Sequence, residues 1–250
     1  MQTGTPMILY KYMKATTLIA SLEKQTVRFT NPRNFNDPFD CEISCSGSSD
    51  SKIEEIFWKE LKTGIYVQQV GVLSLSRTKS NLLMWAHYAD EHKGAIIGID
   101  TEIAGLECPT QNIIPASQGA VIYTSLRPST NGHILEPNLK DISPALREKL
   151  FLHKSIHWAY EEEVRVVRAL KDHNPTSYDD DAEPLEFEDL RIPKEAIKQI
   201  CFGARFNGFG PLTMLDYVRS FPAASVSRYD LDKNTWSLEE TQLTRDLNFD

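Results

Sequence analysis

The sequence predicts one α+β domain spanning residues 1–250, and three observations lead there. Stretches that read as strands outnumber those that read as helices, and the helices interrupt them with no regular β-α-β rhythm. No G-x-G-x-x-G or G-x-x-x-x-G-K-[ST] loop is present, so the common dinucleotide and P-loop sites are unsupported. The chain has 250 residues, 41% hydrophobic and 25% charged, which suffices to bury a core without disulfides or metals.

Met7–Tyr12 is aliphatic and aromatic and reads as a strand. Thr16–Lys24 reads as a short helix, with Leu18, Ile19 and Leu22 at helical spacing. Thr26–Phe29 is a second strand, stopped by Asn31-Pro32, and the segment NPRNFNDPFD after it is a turn-rich loop anchored by Phe35 and Phe39. Ser46–Ser51 is a polar linker, and Ser51 with Glu54 forms a capping box for a helix over Lys52–Leu61. Val70–Ser76 is a strand, Asn81–Glu91 a helix, Ala95–Ile99 a strand buried on both faces, and Ala120–Thr124 a further strand. Ser143-Pro144 starts a helix, serine as cap and proline at the first position, expected to run to about Ser155. Glu162–Leu170 is a strand. Asn174–Glu188 is dense in acidic residues and reads as a solvated loop. Pro193–Lys198 is a short helix, Gln199–Phe202 a strand, Pro211–Phe221 a helix and Ala224–Leu231 a last strand.

The formal net charge of −8 argues against a general nucleic-acid coat, while leaving room for a local basic cleft. Cys41, Cys45, Cys108 and Cys201 form no paired CxxC pattern, so they read as reduced thiols and not as a zinc site. The segment MQTGTPMILYKYMK lacks a long apolar run, and no stretch approaches the roughly 20 residues of a membrane span. A cytoplasmic location with no membrane partner is the expectation.

Four segments carry candidate chemistry. In Glu161–Arg165, if extended, Glu161, Glu163 and Arg165 share one face. Either this is a partly buried ion pair, Glu163 with Arg165 or a neighbouring strand, or it is a carboxylate pair in a cleft, one stabilising a developing cation and the other handling a proton. Ser74 and Ser76 share one face of a strand and are followed by Trp85, His87 and Tyr88, which cover more than one helix face. The serines are either core hydroxyls with specific partners or site residues. Asn36 and Asp37 suit turns and caps, or a loop that locks onto a ribose or phosphate. Lys11, between Tyr10 and Tyr12, is either a surface lysine or a cation over a phosphate with an aromatic stacked on a ring. No metal ligands are assigned: His87 with His92 has no acidic triad at ligand spacing nearby, and His153 with His157 has no acidic third ligand.

LYKY at 9–12, FTNPRNFNDPFD at 29–40, SLSRTKSNLLMWAHYADEHKGAIIGID at 74–100, KSIHWAYEEEVRVV at 154–167 and ICFGARF at 200–206 together resemble a large uncharacterised bacterial domain family. More distantly, the order of Lys11, then Ser74-Leu75-Ser76, then Glu161-Glu162-Glu163 resembles the ADP-ribosyltransferases. These split NAD using a basic or histidine residue on an early strand, a serine-containing strand and an E-x-E strand. Lys11 stands where arginine or histidine is usual.

That resemblance implies a compact, split and mostly antiparallel β-sheet with surrounding helices. It implies NAD as substrate, no metal, a transferase of toxin or antiviral-defence type, and a macromolecular acceptor that is protein, RNA or DNA; an antitoxin is a further partner to consider. Glu163 would stabilise the oxocarbenium-like ribose, Glu161 orient the acceptor, and Ser74 and Ser76 hold Glu163. Tyr10, Lys11, Tyr12, Asn36, Asp37, Trp85, His87 and Tyr88 would meet the NAD. A Mg²⁺-dependent nuclease-like toxin using Glu161, Glu163 and Asp37 or Asp40, and a non-catalytic recognition module, are the alternatives.

Overall fold

A computed structural model describes residues 7–45, 70–130, 143–170, 186–207 and 219–243. In chain order the elements are β1 (Ile8–Met13), α1 (Ala15–Lys24), β2 (Thr26–Thr30), β3 (Ser44–Cys45), β4 (Val70–Ser76), α2 (Leu82–Tyr88), β5 (Ala95–Asp100), β6 (Ile122–Thr124) and β7 (Ser129–Thr130). They continue with α3 (Pro144–Phe151), β8 (His153–Ser155), β9 (Glu163–Ala169), β10 (Phe187–Arg191), β11 (Ile197–Phe202), β12 (Ser225–Leu231) and β13 (Leu238–Gln242).

Nine of these strands form one sheet in the order β10-β2-β4-β1-β5-β11-β12-β13, with β9 branching off β4. Its pairings are antiparallel except β11 with β12, so this is an α+β fold built on a mostly antiparallel sheet. The branch matters for everything below. β4 pairs along its whole length with β9, from Val70 opposite Ala169 to Ser76 opposite Glu163. Its other edge is shared, with β2 meeting Val72 and β1 meeting Ser76. Between those two pairings the sheet forks.

Alternation sets which side chains line the fork. Leu73, Leu75, Val164 and Val166 point to one face and join Leu9, Leu18, Phe29 and Ile97 in the main core. Every residue of β5 is buried, as its continuous apolar run predicts. Gly119 lies against β9, where a Cβ would collide with the Arg165 carbonyl oxygen, so only glycine lets the two backbones approach.

Several expectations are corrected. Asn81 caps α2, its Oδ1 accepting from the N–H groups of Leu83 and Met84, but the helix ends at Tyr88 and not Glu91. Asp90, Glu91 and His92 adopt positive φ values of 49°, 55° and 69°, which no helix continues through. α3 stops at Phe151, because His153–Ser155 leaves the helix to pair in parallel with Ile122–Thr124. Lys194–Ala196 is a 3₁₀ turn and the strand after it already begins at Ile197. The acidic loop does not reach Glu188, since Phe187–Arg191 pairs with Thr26–Thr30; the rest of that stretch, the Lys52–Leu61 helix and most of Pro211–Phe221 lie outside the described residues. No helix among the described residues is long and apolar enough to cross a membrane.

Candidate functional site

The site grows out of the β4–β9 register. Ser74 lies opposite Arg165 and Ser76 opposite Glu163, so two hydroxyls, a guanidinium and a carboxylate share one face of the fork. Arg165 gives its backbone N–H to the Gly119 carbonyl, away from β4. On the other edge of β4, where β1 has diverged, the Ser74 carbonyl instead accepts from Lys11 Nζ at 2.8 Å.

Glu161 does not lie in the strand. Ile156–Glu161 is a 3₁₀ turn capped by Ser155, and it ends at Glu162 with φ 44° and ψ 47°. That left-handed residue turns the chain into β9, so Glu161 reaches the fork from its end. Three bonds fix the turn: Ser76 Oγ donates to the Glu161 carbonyl at 2.7 Å, Arg77 N–H donates to the Glu162 carbonyl, and Asn81 Nδ2 donates to the Tyr160 carbonyl at 3.1 Å. Ser76 therefore positions Glu161 through its backbone.

Five charged groups meet here. Arg165 donates bidentately to Glu163, from Nε at 3.0 Å and Nη2 at 3.1 Å, and reaches Asp40 at 2.7 Å and the Phe151 carbonyl at 2.8 Å. Adding a weak contact to Cys41 Sγ, all five of its donors are engaged. Lys154 Nζ, on β8, bonds Glu161 at 2.5 Å and Glu163 at 3.1 Å and lies 3.6 Å from Asp40. Glu161 also accepts from the Tyr88 hydroxyl at 2.5 Å, and the Glu163 N–H donates to the Tyr123 oxygen.

The two carboxyls titrate in opposite directions. Burial pushes Glu161 up, and Lys154 with Tyr88 offsets only part of that. Burial acts on Glu163 the same way, but Arg165 and then Lys154 outweigh it and hold the carboxyl well below the usual range. Burial lowers Lys11, against the pull of Glu163 and Glu161. Lys154 stays an ammonium ion: Glu163, Glu161 and Asp40 together exceed the burial penalty and the repulsion from Arg165.

These groups border a cavity of about 110 Å³. The strand residues Tyr10, Lys11, Tyr12, Ser74 and Ser76 line it, as do Asn36, Tyr88, Glu161 and Glu163. Asp37, Trp85 and His87 do not. Asp37 accepts from the Phe39 N–H and closes a turn. Trp85 is fully buried among Tyr12, Tyr229 and His92, with Nε1 bonded to the Lys79 carbonyl. His87 is exposed beside Tyr160.

Residues 84–166 match the family model described as protein of unknown function DUF2971. No curated protein and no solved structure matches the chain. The DUF2971 match holds Tyr88, Lys154, Glu161, Glu163 and Arg165; Lys11, Asp40, Ser74 and Ser76 lie before it.

Sequence reasoning missed Lys154 altogether and met Asp40 only as a candidate metal ligand. Lys154 reads as the tail of a helix until its strand pairing is known. A second cavity of about 230 Å³ shares Lys154 as a wall and is bordered by Phe39, Leu126, Arg127 and His153. There the Arg127 guanidinium lies over the Phe39 ring, 4.6 Å from its centroid. Among the described residues, no group of three or more His, Cys, Asp or Glu side chains is arranged to hold a metal ion.

Proposed function

We propose that this protein is an NAD-dependent ADP-ribosyltransferase of toxin or defence type. The observation that carries the reading is the adjacency of β1, β4 and β9, whose Lys11, Ser74 with Ser76, and Glu163 line one cavity together with Glu161. A basic residue, a serine pair and a glutamate pair are the three elements that the resemblance calls for; here Lys11, Ser74 with Ser76, and Glu163 stand on adjoining strands, and Glu161 joins them from the 3₁₀ turn that leads into β9.

The chemistry suits these surroundings. Loss of nicotinamide leaves positive charge on the ribose, and a preorganised carboxylate beside it lowers the barrier. A carboxyl pushed up by burial, as Glu161 is, is matched to taking a proton from the acceptor. The first cavity, about 110 Å³, suits a single ring, whereas whole small-molecule sites span about 300–1,000 Å³. The neighbouring cavity, with Arg127 at its border, offers the rest of the dinucleotide a cation for its phosphates.

The test is incubation with NAD labelled in the adenylate half, plus cell lysate, followed by separate protease and nuclease digestion. Nicotinamide release with label moving into a digestible product is the expected result. NAD left intact under all acceptor conditions would overturn the reading.

A further inference from the structure

We propose that Glu161, and not Glu163, is the carboxylate that takes the acceptor's proton and faces the reacting ribosyl carbon, with Glu163 positioning it through Lys154. This rests on the ribosyl-transfer reading above.

A carboxylate offers about four acceptor positions. At Glu163 they are filled: Arg165 Nε on Oε1, Arg165 Nη2 and Lys154 Nζ on Oε2, and the Ser74 hydroxyl as a fourth donor. A ribose hydroxyl arriving at Glu163 would have to displace one of these four donors. Glu161 has one donor on each oxygen, Tyr88 on Oε1 and Lys154 on Oε2. Half of its acceptor positions are therefore open, on a side chain that borders the cavity.

The backbone points the same way. Glu163 is locked in the β4–β9 ladder opposite Ser76, while Glu161 ends the 3₁₀ segment before β9 and is held there by the Ser76 hydroxyl. The charge on Glu163 is matched by Arg165, and the same guanidinium ties down Asp40. Arg165, Asp40 and Glu163 thus form a rigid frame. Lys154 joins that frame to Glu161.

In the step this implies, the ribosyl C1′–nitrogen bond breaks and its electron pair goes to nicotinamide, which leaves neutral. The acceptor oxygen or nitrogen bonds C1′, and its proton moves to Glu161. NAD and acceptor thereby give nicotinamide, the ADP-ribosylated product and one proton, with no oxidant or reductant. The charged or titratable groups facing Glu161 are Tyr88 from α2, Lys154 from β8, Glu163 from β9, Lys11 from β1, Tyr123 from β6 and its neighbour Tyr160.

The experiment compares the full chain with Glu161→Gln and Glu163→Gln, measuring nicotinamide release against pH and Tm on the same preparations. Glu161→Gln is expected to lose about 10²–10³-fold in kcat at a near-native Tm, as removal of other preorganised catalytic groups does. Glu163→Gln is expected to lower Tm and to move the acid limb of the remaining activity to lower pH, because the like charge that helps raise Glu161 is gone. A Glu163 that only supports the fold would lower Tm and leave nicotinamide release per folded molecule at the parent's level, which would overturn its positioning of Glu161. Glu161→Gln within tenfold of the parent, with the loss falling on a folded Glu163→Gln, would overturn the proposal while leaving NAD chemistry standing. A parent protein that leaves NAD intact would overturn both.

Discussion

Glu161 and Glu163 share a single ammonium group: Lys154 Nζ lies 2.5 Å from Oε2 of the first and 3.1 Å from Oε2 of the second. All three side chains are nearly inaccessible, at 4–6%. Two carboxylates this close in a dry setting repel strongly unless a cation stands between them. Lys154→Met is therefore expected to destabilise the fold by about 3–5 kcal/mol, the range for breaking a buried pair from one side. Urea unfolding measures this. A loss below about 1 kcal/mol, the range of exposed pairs, would mean that water reaches the network freely.

Arg165 gives a sharper version of the same argument. Arg165→Met alone strands Glu163, Asp40 and the Phe151 carbonyl, and a loss of about 3–5 kcal/mol is expected. Pairing it with Glu163→Leu removes one stranded charge, so the double variant should be more stable than the sum of the singles. A double-mutant cycle on urea midpoints checks the sign; strict additivity would show that the bidentate pair contributes nothing as a pair.

The opposite pKa shifts set opposite pH slopes. Glu163 is held below its ordinary value of 4.5, so its stabilisation is present above that pH and is lost as pH falls through the folded-state pKa. Glu161 is raised above 4.5, so the folded state holds its proton more tightly and stability falls as pH rises through its folded-state pKa. Glu161→Gln should flatten the slope just above pH 4.5, and Glu163→Gln the slope below it. Unfolding free energies measured from pH 3 to 7 separate the two, and identical profiles for both variants would contradict the assignment.

How much of this could be read beforehand follows from what each feature depends on. Val70–Ser76 is a strand with the expected bounds, and Ser74 and Ser76 fall on one face, because alternation is a local property. The placement of Glu161 was not local. Three consecutive glutamates running into Val164-Arg165 read as one extended strand, whereas the left-handed conformation sits on Glu162, a residue type that rarely adopts it. Lys154 and Asp40 owe their place to pairings 9 and 125 residues away, with Glu163 and Arg165, which no periodicity reports. Trp85 was ambiguous for a related reason: with Trp85, His87 and Tyr88 on one short helix, the core selects a face only once Tyr12 and Tyr229 have been brought beside it.

The last prediction concerns Ser76, whose hydroxyl donates to the Glu161 carbonyl at 2.7 Å and accepts from the Thr78 N–H at 3.1 Å. Ser76 is 1% exposed, so Ser76→Ala leaves a buried carbonyl and a backbone N–H without their partner. Stability should fall by about 1–3 kcal/mol, the usual cost of an orphaned buried group. Activity should fall further than stability accounts for, because the turn that presents Glu161 is tied to β4 by this bond and a displacement near 1 Å can cost about 10²-fold. Ser76→Thr keeps the hydroxyl and should recover most of the activity if the added methyl is accommodated beside Glu163. The measurement is nicotinamide release per folded molecule, with the folded fraction taken from unfolding curves on the same samples. If Ser76→Ala loses stability yet keeps full activity per folded molecule, the serine is a core hydroxyl and the Glu161 turn is held by Arg77, Asn81, Tyr88 and Lys154.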